Sequence, residues 1–105
     1  ALAVRPHSMP YAASKAGVIS LTKCCCEPFA PHNVRINAIA PGTVDTDMLA
    51  GTPAELVERM EMNTPLGRVA KPQEMANVIA FLLSEESSYM TGATVIVSGG
   101  RLLFP

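Results

Sequence analysis

The sequence predicts an α/β fold built on a doubly wound, parallel sheet, and three observations predict it. A long helical pattern precedes the largely apolar run Val34-Arg35-Ile36-Asn37-Ala38-Ile39-Ala40, bounded by turn residues, which is how a strand buried on both faces reads. A second run of this kind, residues 93–97, follows two further helical patterns. The order helix, strand, helices, strand fits a right-handed crossover between parallel strands. Pro41-Gly42 also breaks the first run sharply, at the carboxyl end of a strand, where such sheets bind ligands.

Residues 1–10 read as a strand end or loop, since Pro6 and Pro10 discourage regular pairing, while Pro10 suits a first helical turn. A helix is predicted over residues 10–27. Pro28 lacks the N–H that would bond the Cys24 carbonyl, so the helix is expected to end or kink there. Pro31-His32-Asn33 is a turn, and residues 43–51 are a loop. Thr52-Pro53-Ala54-Glu55 has the form of a capping box with proline at the first helical position, opening a short helix to about residue 62. Pro65 and Gly67 punctuate another loop. Pro72, with Glu74 in the first turn, starts a second full helix whose apolar face is Met75, Ile79, Leu82 and Leu83. That helix ends in the polar cluster of residues 84–88, Thr91-Gly92 turns the chain into the second strand, and Gly99-Gly100 closes it.

The chemistry-bearing stretch is Tyr11-Ala12-Ala13-Ser14-Lys15. Four residues apart on a helix, a tyrosine and a lysine share one face, about 6 Å apart between Cβ atoms. A phenol with a reference pKa of about 10 is a poor proton shuttle at neutral pH. A nearby ammonium favours the phenolate and draws that pKa down towards the range of a working general acid/base. The pair also has a plainer reading, a tyrosine at a helix start packing on a lysine stem. The surrounding helix favours the first. Tyr11, Lys15, Val18 and Thr22 form one stripe, with Ser20, Lys23 and Glu27 roughly opposite. If the polar stripe is the wet one, Tyr11 and Lys15 face the protein or a cleft, and a buried lysine without a task is costly. Gly42 would let backbone approach a flat ligand closely, the alternative being an ordinary Pro-Gly turn.

Length and composition bound the rest. The 105 residues make one small domain at most, carry a net charge of −1, and begin at Ala1 close to the candidate helix, which suggests a piece of something larger. The balanced charge gives no argument for nucleic acid or an anionic membrane. No apolar run is long enough to span a bilayer and no signal-peptide layout is present, so a cytoplasmic location is expected, an organelle being left open. Cys24, Cys25 and Cys26 fan out 100° apart on a helix and cannot converge on one metal, so they are expected to be reduced thiols serving as small apolar side chains. His7 and His32 lack ligand-like partners in sequence and read as loop residues; no metal site is expected.

Taken together, Tyr11-Ala12-Ala13-Ser14-Lys15-Ala16, then residues 34–42 ending in Ala40-Pro41-Gly42, then Pro65-Leu66-Gly67-Arg68, and Thr91-Gly92 through Val97-Ser98-Gly99-Gly100, resemble the C-terminal part of short-chain dehydrogenases/reductases. Within the family the sequence looks like the compact carbonyl and 3-oxoacyl reductase-type members. It covers nearly the whole chain. The resemblance implies the C-terminal part of a Rossmann-type sheet, two strands with crossover helices, with residues 1–105 belonging to a single domain whose first half is missing. It implies an oxidoreductase moving a hydride between NAD or NADP and a small-molecule carbonyl or alcohol. Tyr11 would be the general acid/base. Lys15 would lower the tyrosine pKa and bond the nicotinamide ribose. Pro41, Gly42 and the backbone of Val44 would border the nicotinamide, and Thr46 would contact its carboxamide or phosphate side. Residues 48–62 would be the mobile substrate-binding loop and helix, Asn37 and Arg68 would be structural, and the complete enzyme would be a homo-oligomer, dimer or tetramer.

The departures define the second hypothesis. The family's Gly-rich dinucleotide loop, its catalytic serine about a dozen residues before the tyrosine, and its upstream asparagine have no counterpart in the sequence, and Pro28 falls where members continue the helix. The chain alone is therefore expected to be inactive. The alternative is a non-enzymatic, truncated module that associates with full-length relatives through its apolar helix and strands.

Overall fold

The computed structural model describes residues 9–101, apart from the side chains of Tyr11, Ala12 and Met48. The expected strand end or loop before the first helix, with His7, lies outside the described residues. Helix α1 spans Met9–Phe29 and contains Pro28. The expected end at residue 27 is corrected by two residues. Pro28 sits in the last turn, so its missing N–H removes one bond where the helix is already ending. A 3₁₀ turn, Ala30–His32, follows, and Asn33 takes the left-handed conformation (φ 61°) that asparagine tolerates better than most side chains. The Val34 amide then bonds the Phe29 carbonyl at 3.3 Å, so the chain reverses tightly on itself.

Strands β1 (Ala38–Pro41) and β2 (Thr94–Val97) pair in parallel, with Ala38 opposite Thr94 and Pro41 opposite Val97. The parallel pairing is as expected, but β1 starts four residues later than the apolar run. The polar residues in that run explain the shift. Arg35 sends Nη1 to the Met90 carbonyl (3.0 Å) and Nη2 to those of Leu82 (3.0 Å) and Ser84 (3.1 Å). Asn37 donates Nδ2 to the Met90 carbonyl at 3.0 Å and accepts the Ala93 amide on Oδ1 at 3.1 Å. The Ile36 amide bonds the Thr91 hydroxyl at 3.0 Å. Residues 34–37 are thus laced to residues 82–93 largely by side chains, and the backbone ladder takes over beyond them. Asn37 is structural, as its position implied.

Between the strands lie α2 (Asp47–Ala50), α3 (Ala54–Met62) and α4 (Pro72–Leu82). Helix α2 is a turn of helix inside the predicted loop. The predicted capping box shifts as well: Pro53, not Thr52, is the cap residue of α3, its carbonyl accepting the Leu56 amide at 3.0 Å. At α4 the first-turn glutamate works as expected, Glu74 Oε1 accepting the Lys71 amide at 2.9 Å. The polar cluster after α4 folds into a 3₁₀ turn, Glu85–Ser87, and Ser87 is the most buried side chain described. Its single proton faces the carbonyls of Phe81 (2.8 Å), Leu82 (3.0 Å) and Ser84 (3.1 Å).

Helix α1 packs on β1, and α4 packs on the 3₁₀ turn that follows it. The packing stays thin. Among the described residues, Leu82 is the one buried hydrophobic side chain, while Leu83 on the expected apolar face of α4 is 80% exposed and Ile79 is exposed too. The strands are half-buried rather than buried on both faces, with Ile96 48% exposed. On α1, Thr22 alone among the described side chains of the predicted inner stripe is buried; Lys15 is exposed and Val18 is 54% exposed. The physical reason is the same in each case: no described element covers these faces. The three cysteines are free, and Cys26 lies against Gly92, where an added Cβ would come 2.8 Å from its sulfur. No helix among the described residues is long and apolar enough to cross a membrane.

Candidate active site at the carboxyl ends of the strands

Parallel pairing brings the carboxyl ends of β1 and β2 side by side. The first residue beyond β1 is Gly42, whose amide bonds the Val97 carbonyl at 2.9 Å. A Cβ on Gly42 would lie 2.9 Å from Ser98 Cα. The glycine is therefore required by the neighbouring strand. The expectation that its bareness serves a flat ligand is refined: its missing side chain is used against Ser98.

The chain then crosses to Ala70. The Ala70 amide bonds the Thr43 carbonyl at 2.9 Å and the Asp45 amide bonds the Ala70 carbonyl at 2.8 Å, a parallel bridge between Val44 and Ala70. In this pattern both bonds flank Val44, and its own N–H and C=O point the other way. Neither has a hydrogen-bond partner among the described residues. Thr46 follows in extended conformation as the cap residue of α2, its carbonyl accepting the Leu49 amide at 2.9 Å, while its exposed side chain makes no cap bond.

Tyr11 and Lys15 stand one turn apart near the start of α1, on one face of an unbroken helix. Tyr11 is placed by its backbone, and Lys15 is exposed. Reach relates them to the strand end. From Phe29 back to Tyr11 the helix rises about 27 Å at 1.5 Å per residue, and from Val34 to Gly42 an extended chain covers about 26 Å. The two arms are thus of similar length, joined by the reversal at residues 30–33, and α1 packs on β1.

A separate cleft of about 110 Å³ opens beside Thr43, lined among others by Leu66, Arg68, Glu74, Met75 and Val97. It is well below the roughly 300 Å³ of small ligand sites, and it includes none of the residues expected to meet a cofactor. Its two charged groups pair with each other. Arg68 grips Glu74 with two bonds, Nη1–Oε1 at 2.7 Å and Nη2–Oε2 at 2.9 Å. The bond from the Arg68 guanidinium, and next the Lys71 amide, hold the Glu74 carboxyl down at about 2. Arg68 is raised in turn by the same bond. The pair ties the loop before α4 to its first turn, so Arg68 is structural, as its position implied. Among the described residues no group of three His, Cys, Asp or Glu side chains could hold a metal ion.

Three residues that matter locally were not singled out in sequence: Arg35, Ser87 and Arg101. Arg35 carried a signal, a charge inside an apolar run. Ser87 carried none, since a serine among Glu85, Glu86 and Ser88 reads as solvated. Arg101 donates Nη1 to the Thr43 hydroxyl at 3.0 Å, a contact across 58 residues of sequence.

The comparisons with known proteins fall on this frame. A family profile described as enoyl-(acyl carrier protein) reductase matches residues 1–101. The chain belongs to the short-chain dehydrogenase/reductase family. It is 46% identical over 98 residues to the 3-oxoacyl-(acyl-carrier-protein) reductase of Thermotoga maritima, covering 93% of this chain and 40% of that protein. It is 42% identical over 93 residues to the (3R)-3-hydroxyacyl-CoA dehydrogenase of Homo sapiens, covering 89% of this chain and 36% of that protein. The crystal structure of a 3-oxoacyl-(acyl-carrier protein) reductase from Brucella melitensis superposes with a TM-score of 0.85 at 41% identity, over 88% of this chain and 34% of that one. The chain thus carries a Rossmann-type α/β arrangement and spans about 40% of the length of such curated short-chain dehydrogenase/reductase relatives.

Proposed function

We propose that this chain is the C-terminal, chemistry-bearing portion of the single domain of an NAD(P)-dependent reductase that interconverts a carbonyl and an alcohol. The observation that carries the reading is the open edge at Val44: a peptide donor and a peptide acceptor, both unpartnered among the described residues, at the carboxyl end of a parallel sheet. That set complements a carboxamide, whose carbonyl oxygen accepts and whose NH2 donates. The residues present therefore fit the nicotinamide end of the cofactor, with Pro41 and Gly42 below it, Val44 on its amide and Thr46 beside it. When bound, the nicotinamide supplies or accepts the hydride.

The protein's own groups do the rest. Tyr11 donates its phenol proton to the carbonyl oxygen during reduction and takes it back during oxidation. Lys15, one helical turn on, stabilises the phenolate and bonds the ribose next to the nicotinamide. Residues 48–62, which include the exposed Met62, border the substrate. The relatives' names suggest 3-oxoacyl and 3-hydroxyacyl thioesters as the first substrates to try. The complete enzyme is a cytoplasmic dimer or tetramer in this reading.

The exposed apolar faces of α1, α4 and β2 also suit the second reading, a non-catalytic module that docks on full-length relatives. Rates decide between them. In the complete protein with NADH and NADPH and a panel of ketones, Tyr11→Phe is expected to cut turnover by about 10²–10⁴-fold while circular dichroism stays unchanged. Near-normal turnover in that variant overturns the assignment.

A further inference from the structure

We infer that Arg101 is a positioning residue: through its bond to the Thr43 hydroxyl it fixes the direction of the Val44 peptide edge, an inference that rests on the cofactor reading above. Val44 can present a donor and an acceptor to a flat amide only if the loop around it keeps one orientation. Behind Val44 the loop is held by the two Ala70 bonds, and before it by the Gly42 amide on the Val97 carbonyl. These are backbone ties that leave the Thr43 side chain free to swing. The Arg101 guanidinium removes that freedom at 3.0 Å.

The end of β2 is shaped to deliver that guanidinium. Gly99 (φ 64°) and Gly100 (φ 91°) adopt left-handed conformations that side chains rarely reach, and the Arg101 amide bonds the Ser98 carbonyl at 3.2 Å. The turn folds the chain back on the strand end and aims Arg101 at the loop after β1. No carboxylate among the described residues lies within ion-pair distance of Arg101, so the hydroxyl is what holds it.

The test uses the complete protein and the variants Arg101→Ala, Arg101→Lys, Thr43→Val, Thr43→Ser and Arg101→Ala/Thr43→Val. Two readouts are taken: amide hydrogen exchange in the cofactor-free protein, and NADH and NADPH affinity by fluorescence titration. Arg101→Ala is expected to speed exchange of the Asp45 amide about tenfold with the β2 amides unchanged, and to weaken dinucleotide affinity about five- to tenfold. Thr43→Val should match it, the double variant should be no worse than either single one, and Thr43→Ser and Arg101→Lys should recover most of the loss. Unchanged Asp45 exchange in Arg101→Ala, or additive losses in the double variant, overturn the clasp. A wild-type protein that binds neither dinucleotide overturns the cofactor reading instead, and Asp45 exchange then still decides whether Arg101 holds the loop.

Discussion

At the residue scale, two side chains act through charge, Lys15 in the proposed site and Glu74 in the fold. Lys15 is assigned two tasks, on the phenol and on the ribose. Replacing it with alanine removes both. In the complete protein, Lys15→Ala should weaken NAD(P)H binding and move the tyrosine-controlled limb of the rate profile to higher pH, because without the ammonium the phenol holds its proton more tightly. Fluorescence titration and rates against pH check it; an unchanged affinity with an unchanged profile contradicts the role. Glu74 carries a different pH signature. Its folded value of about 2, against an ordinary 4.5, means that its contribution to stability is complete above 4.5 and disappears as pH falls towards 2. Thermal unfolding of wild type and Glu74→Gln should therefore differ at neutral pH and converge as pH approaches 2. The gap should shrink with added salt, because the pair is well exposed.

At the scale of elements, the sequence made the long pieces legible and hid the short ones. Helices α1 and α4 announced themselves by proline at the start and by apolar spacing, and the two strands by compact apolar runs closed by glycine. The edges were harder. The start of β1 depends on Arg35 and Asn37 reaching residues 82–93, pairings that no local pattern encodes. The Val44–Ala70 bridge joins two segments whose partnership is equally invisible in a linear reading, so the loop after β1 read as structureless. In the candidate site, Tyr11, Lys15 and Pro41-Gly42 stood out by residue type and spacing. The open Val44 edge did not, since a peptide's direction is set by its neighbour and not by its side chain. Gly42 shows how element packing constrains the site. Gly42→Ala forces a Cβ to within 2.9 Å of Ser98 backbone. It is expected to cost about 1–3 kcal/mol of stability and to raise the KM for the dinucleotide, measured by denaturant unfolding and by initial rates. A variant of full stability and normal KM would show that the two strand ends separate without consequence.

At the scale of the whole molecule, the described residues bury one large hydrophobic side chain, Leu82, and leave Leu21, Leu66 and Leu83 in the open. Apolar surface contributes roughly 25 cal/mol per Å² when buried, and a domain's net stability is only about 5–15 kcal/mol. So thin a core should not hold the chain rigid by itself. A Gly-rich loop for the adenosine and pyrophosphate has no counterpart in the sequence either. In the proposed reading this chain brings the chemistry and the nicotinamide edge, while the rest of the dinucleotide is held by the remainder of the enzyme to which we assign it. Calorimetric titration of the 105-residue chain with NADH and NADPH, run beside thermal unfolding and beside the complete enzyme, tests this division of labour. The complete enzyme is expected to bind at micromolar concentration, and this chain to show no measurable binding and a broad, weakly cooperative melt. Micromolar binding by this chain together with a sharp cooperative melt would contradict it.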